Sequence, residues 1–168
     1  TVGAMIDTSR CAAPRVETVK KMLDYLAVMG YNMAMLYTED TYEVPEYPFF
    51  GYIRGRFNQD ELKEIDAYAL LFGIEMIPCM QVLAHLEAAL RWPSFKNIID
   101  TGNILLVGEE KTYEFIEAMI RSCRNSFRTN RIHIGMDEAH MVGRGKHLTQ
   151  YGYEKATDMM TRHLNRIR

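Results

Sequence analysis

The sequence predicts an α/β fold, four parallel strands alternating with helices as (βα)4, the first half of an eight-stranded (β/α)8 barrel. Three observations carry that expectation. Short β-type runs alternate with stretches whose apolar residues recur at helical spacing, an order that joins parallel strands through right-handed crossovers. The last run, RIHIGMD, places Ile132, Ile134 and Met136 on one face and His133, Gly135 and Asp137 on the other; an open sheet covered by helices on both sides is apolar on both faces, so a small and polar face fits a barrel interior better. Most strands also end in reactive residues, namely Asp7 and Arg10, Glu39 and Asp40, Asp137 and Glu138. Barrel enzymes gather their chemistry at the C-terminal ends of strands.

Each element has its own local reason. VGAMID, residues 2 to 7, is a β-type run, and after Pro14 a helix follows with apolar positions Val16, Val19, Leu23 and Leu26, closed by Gly30 where a C-cap belongs. YNMAMLY, 31 to 37, is the second run and leads into the long aromatic loop TEDTYEVPEYPFFGYIRGRF; loops of this length inside a domain are usually functional. Asn58 with Glu61 has capping-box form, and Leu62, Ile65, Ala69 and Phe72 continue a helix to Gly73. IEMIPCM, 74 to 80, is the third strand, followed by a short helix around LAHLEAAL and a longer one around Tyr113 to Arg124. The fourth strand, IHIGMD, and a last helix through Tyr153, Ala156, Met160, Leu164 and Ile167 complete the pattern. Four strands do not close a small barrel, which needs about eight. Residues 1–168 are therefore expected to be a single catalytic-domain fragment comprising the first four βα units.

Composition narrows the function. With 168 residues and 48% apolar content the chain is long enough for one packed domain. Lys and Arg number 20 against 22 Asp and Glu, a net charge of -2, which provides no field for gripping phosphates and argues against nucleic acid. Arg121, Arg124, Arg128 and Arg131 fall on one face near a helix end, where cations meet the helix's negative pole. Cys11, Cys79 and Cys123 have no CxxC spacing and are read as reduced, structural thiols. No run reaches the length of a membrane span and no leader is visible, which favours a cytoplasmic setting. The chain opens on Thr1 in mid-strand pattern and reads as an excised piece.

The stretch MDEAH raises three chemistries. A helicase-type nucleotide motor needs an upstream GxxxxGK[ST] loop, and Gly108 is followed by EEKT while Gly145 and Lys146 come after the box and precede His147. A metal site could draw on His85, His133, Asp137, Glu138 and His140, but HExxH is absent and no ligand spacing is diagnostic. His133 is read as an interior residue, and His140, His147 and His163 as surface residues. The third chemistry is a pair of neighbouring carboxylates in different environments, Asp137 and Glu138, able to hold opposite protonation states as glycoside cleavage requires.

In that context the chain resembles the family 20 glycoside hydrolases, the β-N-acetylhexosaminidases, in their bacterial form. Their signature at the fourth barrel strand is His, an apolar residue, Gly, Gly, Asp, Glu, against His133, Ile134, Gly135, Met136, Asp137, Glu138 here. Met136 replaces the second glycine on the outward face, where an apolar side chain can pack under helices and leave the acids in place. Asp7, Thr8, Ser9 and Arg10 match the spacing of the family's first-strand Asp and Arg, and IPCMQVLAH supplies His85 where the family has a supporting His; Glu39 and Asp40 match more loosely. The resemblance implies retaining, substrate-assisted release of a terminal N-acetylhexosamine, with the sugar's own acetamide oxygen attacking the anomeric carbon. It gives Glu138 the role of general acid and later base, Asp137 that of orienting the acetamide, Arg10 that of binding sugar hydroxyls, and Asp40, His85 and His133 supporting roles. It implies no cofactor and no metal.

The family's later strands, which supply aromatic walls and an acetamide-gripping Tyr, are not in this chain, and Trp92 is read as packing or loop structure. The fragment alone is therefore expected to be nearly inactive, and its open strand edges to favour self-association. The alternatives are a non-catalytic half-barrel scaffold or sugar-binding module, and a metal-dependent barrel hydrolase.

Overall fold

The computed structural model describes residues 1–11 and 13–168. They form two compact units, Thr1–Met80 with Ile120–Ile134, and Gln81–Met119 with Gly135–Arg168.

The first unit is built on a parallel sheet in the order β1 (Gly3–Asp7), β2 (Met33–Tyr37), β3 (Glu75–Cys79). Gly3 is in register with Met33 and Met33 with Glu75, so the three strands end together at Asp7, Tyr37 and Cys79. The intervening helices are α1 (Val16–Val28) and α2 (Gln59–Leu70), as their periodicity predicts. Val19, Leu23 and Leu26 of α1 and Leu62, Ile65 and Ala69 of α2 are buried, the i, i+3, i+4, i+7 stripe of a helix lying on a sheet. The capping box is formed in both directions: Asn58 Oδ1 accepts from the Glu61 N–H at 2.8 Å and Glu61 Oε2 accepts from the Asn58 N–H at 2.8 Å. Phe72 falls outside the stripe and is exposed, because α2 ends at Leu70.

The expected fourth strand is not formed as a strand. IHIGMD contributes one parallel bridge, His133 beside Cys79, with the His133 N–H donating to Pro78 O at 3.0 Å and the Met80 N–H to His133 O at 2.9 Å. The ladder stops there because Gly135 at φ +74° and Met136 at φ +87° turn the chain into left-handed backbone, which no strand can follow.

Four basic residues expected at a helix end are engaged rather than offered to a polyanion. Arg121 pairs with Glu46 at 3.2 Å, Arg128 with the buried Asp66 at 2.5 Å and Arg131 with Glu75, while Arg124 donates to Asn130. The three cysteines are free; Cys79 and Cys123 are buried, and burial pushes the Cys123 thiol up to about 12.

The second unit holds α3 (Glu87–Leu90), an antiparallel pair β4 (Ile99–Thr101) and β5 (Ile104–Leu105), α5 (Lys146–Tyr151) and α6 (Ala156–Ile167); α4 (Glu110–Ser126) begins here. Neither the β4–β5 pair nor α5 has a periodic signature, since each is too short to repeat one. The core packs Leu83, Ala84, Ile104, Val107, Ala139, Val142 and Met159, with Met136 and Met160 against it. Buried Asp100 accepts from the Gly143 N–H at 2.6 Å and the His147 N–H at 2.8 Å, tying β4 to the start of α5.

Two histidines read as surface residues are buried. His163 lies one turn after Met159 on the inner face of α6, and its Nε2 donates to Val82 O at 2.9 Å. Burial pushes its imidazole below the ordinary range. His147 is enclosed beside the Tyr151 ring with Glu154 3.3 Å from Nε2. His140 is exposed, as expected.

Candidate active site

In the first unit the ends of β1 and β2 form one polar cluster. Asp7 Oδ1 accepts from both the N–H and the hydroxyl of Ser9, at 2.8 and 2.7 Å, which turns the chain sharply and sends Arg10 back over the strand ends. Arg10 donates to Glu39 Oε1 at 3.0 Å and lies 3.5 Å from Asp7 Oδ2, and Tyr37 OH donates to the same Glu39 oxygen at 3.1 Å. Glu39, with Asp7 second among the carboxylates, raises the guanidinium's already high pKa. Its side chain is 62% exposed, so donors remain open to a ligand's hydroxyls.

Asp40 is buried, and Arg54 Nε donates to its Oδ1 at 3.1 Å while the same guanidinium donates to Ser9 O. Arg54 belongs to the long aromatic loop, so this ion pair fastens the loop to the ends of β1 and β2. Gly51 completes the fastening. At φ +68° a Cβ there would lie 2.2 Å from Asp40 O, a position only glycine fills. His133, read from the sequence as an interior residue, is instead exposed, and its Nδ1 lies 3.2 Å from the Cys79 thiol.

In the second unit the acid pair is assembled around one imidazole. His85 Nε2 lies 3.2 Å from Asp137 Oδ2 and 3.3 Å from Glu138 Oε2. The His85 side chain is 16% exposed, whereas those of Asp137 and Glu138 are 59% and 68% exposed, so the carboxylates face outward from a mostly enclosed support. Gln81, fully buried, donates from Nε2 to Asp137 Oδ1 at 2.7 Å. That hydrogen bond, with His85 adding to it, holds the Asp137 carboxyl below the usual carboxylate range against the opposing effect of partial burial.

The backbone around the acids is strained. Among the described residues only four other than glycine have positive φ, and three of them are here: His85 at +56°, Met136 at +87° and Glu138 at +53°. Each is disfavoured for an L residue, and such strain concentrates at functional sites where the surroundings over-determine it. Met136 does pack on the apolar cluster as its outward position predicts. Its left-handed backbone also explains why a glycine would sit there with less strain.

Of the residues singled out from sequence, Asp137, Glu138 and His85 come together in one unit, and Arg10 with Glu39 and Asp40 at adjoining strand ends in the other. Sequence reasoning missed Gln81 and Arg54. Gln81 had a faint signal, a lone amide inside the apolar run between the third strand and His85; Arg54 had none beyond its place in a long loop. Among the described residues no three His, Cys, Asp or Glu side chains converge as a metal-binding group, and no helix is long and apolar enough to cross a membrane.

The chain is similar to known proteins both in sequence and in fold. Human hexosaminidase D is 26% identical over 144 residues, covering 80% of this chain and 29% of that protein. A β-hexosaminidase of Akkermansia muciniphila is 25% identical over 167 residues, covering 82% of this chain and 34% of that protein. Among solved structures, a GH20 exo-β-N-acetylglucosaminidase from Vibrio harveyi, in complex with N-acetylglucosamine, superposes with a TM-score of 0.82 at 21% identity over 98% of this chain and 32% of its own. A β-N-acetylhexosaminidase from Bacteroides fragilis superposes with a TM-score of 0.71 at 28% identity, over 82% of this chain and 32% of its own. The parallel α/β class with barrel-type relatives is thus borne out, and the chain spans about a third of the length of the relatives it matches. Residues 2–166 match the family described as glycosyl hydrolase family 20, catalytic domain, and the chain belongs to that family.

Proposed function

We propose that this chain carries the acid-bearing part of a β-N-acetylhexosaminidase that releases terminal N-acetylhexosamine with retention, using the sugar's own acetamide as nucleophile. The observation that carries the reading is that Asp137 and Glu138 meet at a single nitrogen, His85 Nε2, at 3.2 and 3.3 Å. Neighbouring carboxylates on one imidazole suit a mechanism that needs one acid and one orienting anion, the substrate-assisted scheme that the family resemblance implies.

In that mechanism Glu138 gives its proton to the glycosidic oxygen as the acetamide oxygen closes on the anomeric carbon. Glu138 then takes a proton from the water that opens the cyclic intermediate. Asp137, held ionised by Gln81, accepts the acetamide N–H and balances the positive charge that grows on the ring. Arg10 binds hydroxyls of the terminal sugar, with Asp40, His85 and His133 in support. The isolated chain, a third of its relatives' length, is expected to turn over little substrate.

The test is hydrolysis by the longer parent protein. Glu138→Gln should lower kcat by about 100-fold or more on a natural disaccharide, in line with general acid catalysis, and far less on a nitrophenyl glycoside whose leaving group needs no proton. An N-acetyl thiazoline should inhibit the unmodified enzyme. Unchanged disaccharide hydrolysis by Glu138→Gln would remove the assignment, and activity insensitive to the thiazoline would point to another glycosidase mechanism.

A further inference from the structure

We infer that Gln81 is the positioning residue of the acid pair, a buried amide whose two ends fix the strained turn at Met136 and the carboxylate of Asp137 as one unit. The consequence for catalysis rests on the glycosidase reading above; the positioning itself does not.

Gln81 is fully buried, and so are Val82, Leu83 and Ala84, the residues that lead from it to His85. Its Oε1 accepts from the Met136 N–H at 3.0 Å and its Nε2 donates to Asp137 Oδ1 at 2.7 Å. The partners dictate the amide's orientation: reversed, it would set N–H against N–H and carbonyl against carboxylate. One planar group therefore reads two successive residues, holding residue 136 in a backbone conformation it would otherwise leave and aiming Asp137 so that Oδ2 faces His85. An amide NH2 can only donate to a carboxylate, so the contact favours the ionised form of Asp137.

The mount is rigid. His163, fully buried on α6, donates from Nε2 to Val82 O at 2.9 Å, and Leu83 O accepts from the Leu105 N–H at 2.9 Å. The residues on the C-terminal side of Gln81 are thus pinned through their backbones by two other elements, which leaves the amide little freedom to follow Asp137 if that carboxylate moves. A glutamine that merely filled a buried polar space would need neither the pairing with two consecutive residues nor the fixed orientation.

The test is an NMR titration of the Asp137 carboxyl in this chain, unmodified and with Gln81→Met and Gln81→Glu. In the unmodified chain the Gln81 side-chain amide signal should shift with the Asp137 midpoint. That midpoint should rise in Gln81→Met, which lacks the donor, and further in Gln81→Glu, which sets a second carboxylate beside the first. A flat Gln81 amide signal overturns the inference even if both variants fail to fold, and so does an unmoved Asp137 midpoint in a folded variant. In the parent enzyme Gln81→Met should lower kcat about 10- to 100-fold with KM nearly unchanged, the effect of losing one hydrogen bond to a charged group, and should move the acid limb of the pH profile upward. A titration that behaves as expected in a parent without hexosaminidase activity would leave the positioning role standing and remove the glycosidase reading.

Discussion

Met136 offers a measurement of the strain at the acid turn. Its backbone sits at φ +87°, and its side chain is half-buried against the cluster of Leu83, Ala139, Val142 and Met159. Replacing it by Ala removes the packing and keeps the left-handed backbone. Replacing it by Gly removes the packing and the steric penalty together. Left-handed backbone costs an L residue about 1–2 kcal/mol, while Gly for Ala costs about 0.4–1 kcal/mol through the greater freedom of the unfolded chain. At an ordinary surface position Ala would be the more stable residue; here Gly should be the more stable by about 0.5–1 kcal/mol, the difference of those two terms. Losing half the burial of a Met side chain should place the Ala variant about 1 kcal/mol below the unmodified protein, with the Gly variant between them. Urea denaturation followed by the fluorescence of Trp92, the single tryptophan and a member of the same compact unit, reads the order directly. Comparable m-values would confirm that the native states are alike. An Ala variant as stable as the Gly variant, or more so, would show that the turn imposes no strain and that the departure from glycine at this position carries no penalty.

Other consequences are as direct. His163 has a lowered pKa, so folding favours its neutral form; stability is full above the unfolded value near 6.5 and falls as pH drops from there toward the folded value. His163→Gln, which can still donate to Val82 O, should flatten the stability profile across that window, and an unaltered profile in thermal melts from pH 7 to 5 would count against the burial argument. Gly51→Ala should destabilise the first unit by about 2 kcal/mol or more, since left-handed strain adds to a Cβ 2.2 Å from Asp40 O; a denaturation midpoint equal to that of the unmodified chain would refute it. Asn58→Ala should cost about 1 kcal/mol by opening the capping box, measurable in the same assay. Cys11, exposed, should react promptly with a thiol reagent at neutral pH, whereas Cys123, buried and pushed up to about 12, should react only on unfolding. Equal rates for the two in the native chain would show the core to be open.

How much of this was legible beforehand follows the range of the interactions involved. The strands Gly3–Asp7, Met33–Tyr37 and Glu75–Cys79, the helices α1 and α2, and the capping box at Asn58 depend on neighbours within a few residues, so periodicity and caps identify them. The pair Asp137 and Glu138 was readable from the motif it sits in, and His85 from its place after the third strand. The fourth strand was misread because alternation in IHIGMD is real along the chain, yet the backbone turns left-handed at Gly135 and Met136 and ends the ladder after one bridge. Burial of His147 and His163 was misread because a single His on a helix is as compatible with either face until the partner is known. His163 finds its partner 81 residues away, at Val82.

The sequence by itself determined the α/β alternation and the family, and it singled out Asp137 and Glu138 as candidates, because each is written in local order and residue type. Only the tertiary structure decided what holds those acids. Gln81 meets Asp137 across 56 residues and Arg54 fastens its loop to Asp40 across 14, contacts that exist only once the chain has folded and buried the polar atoms that must then find one another.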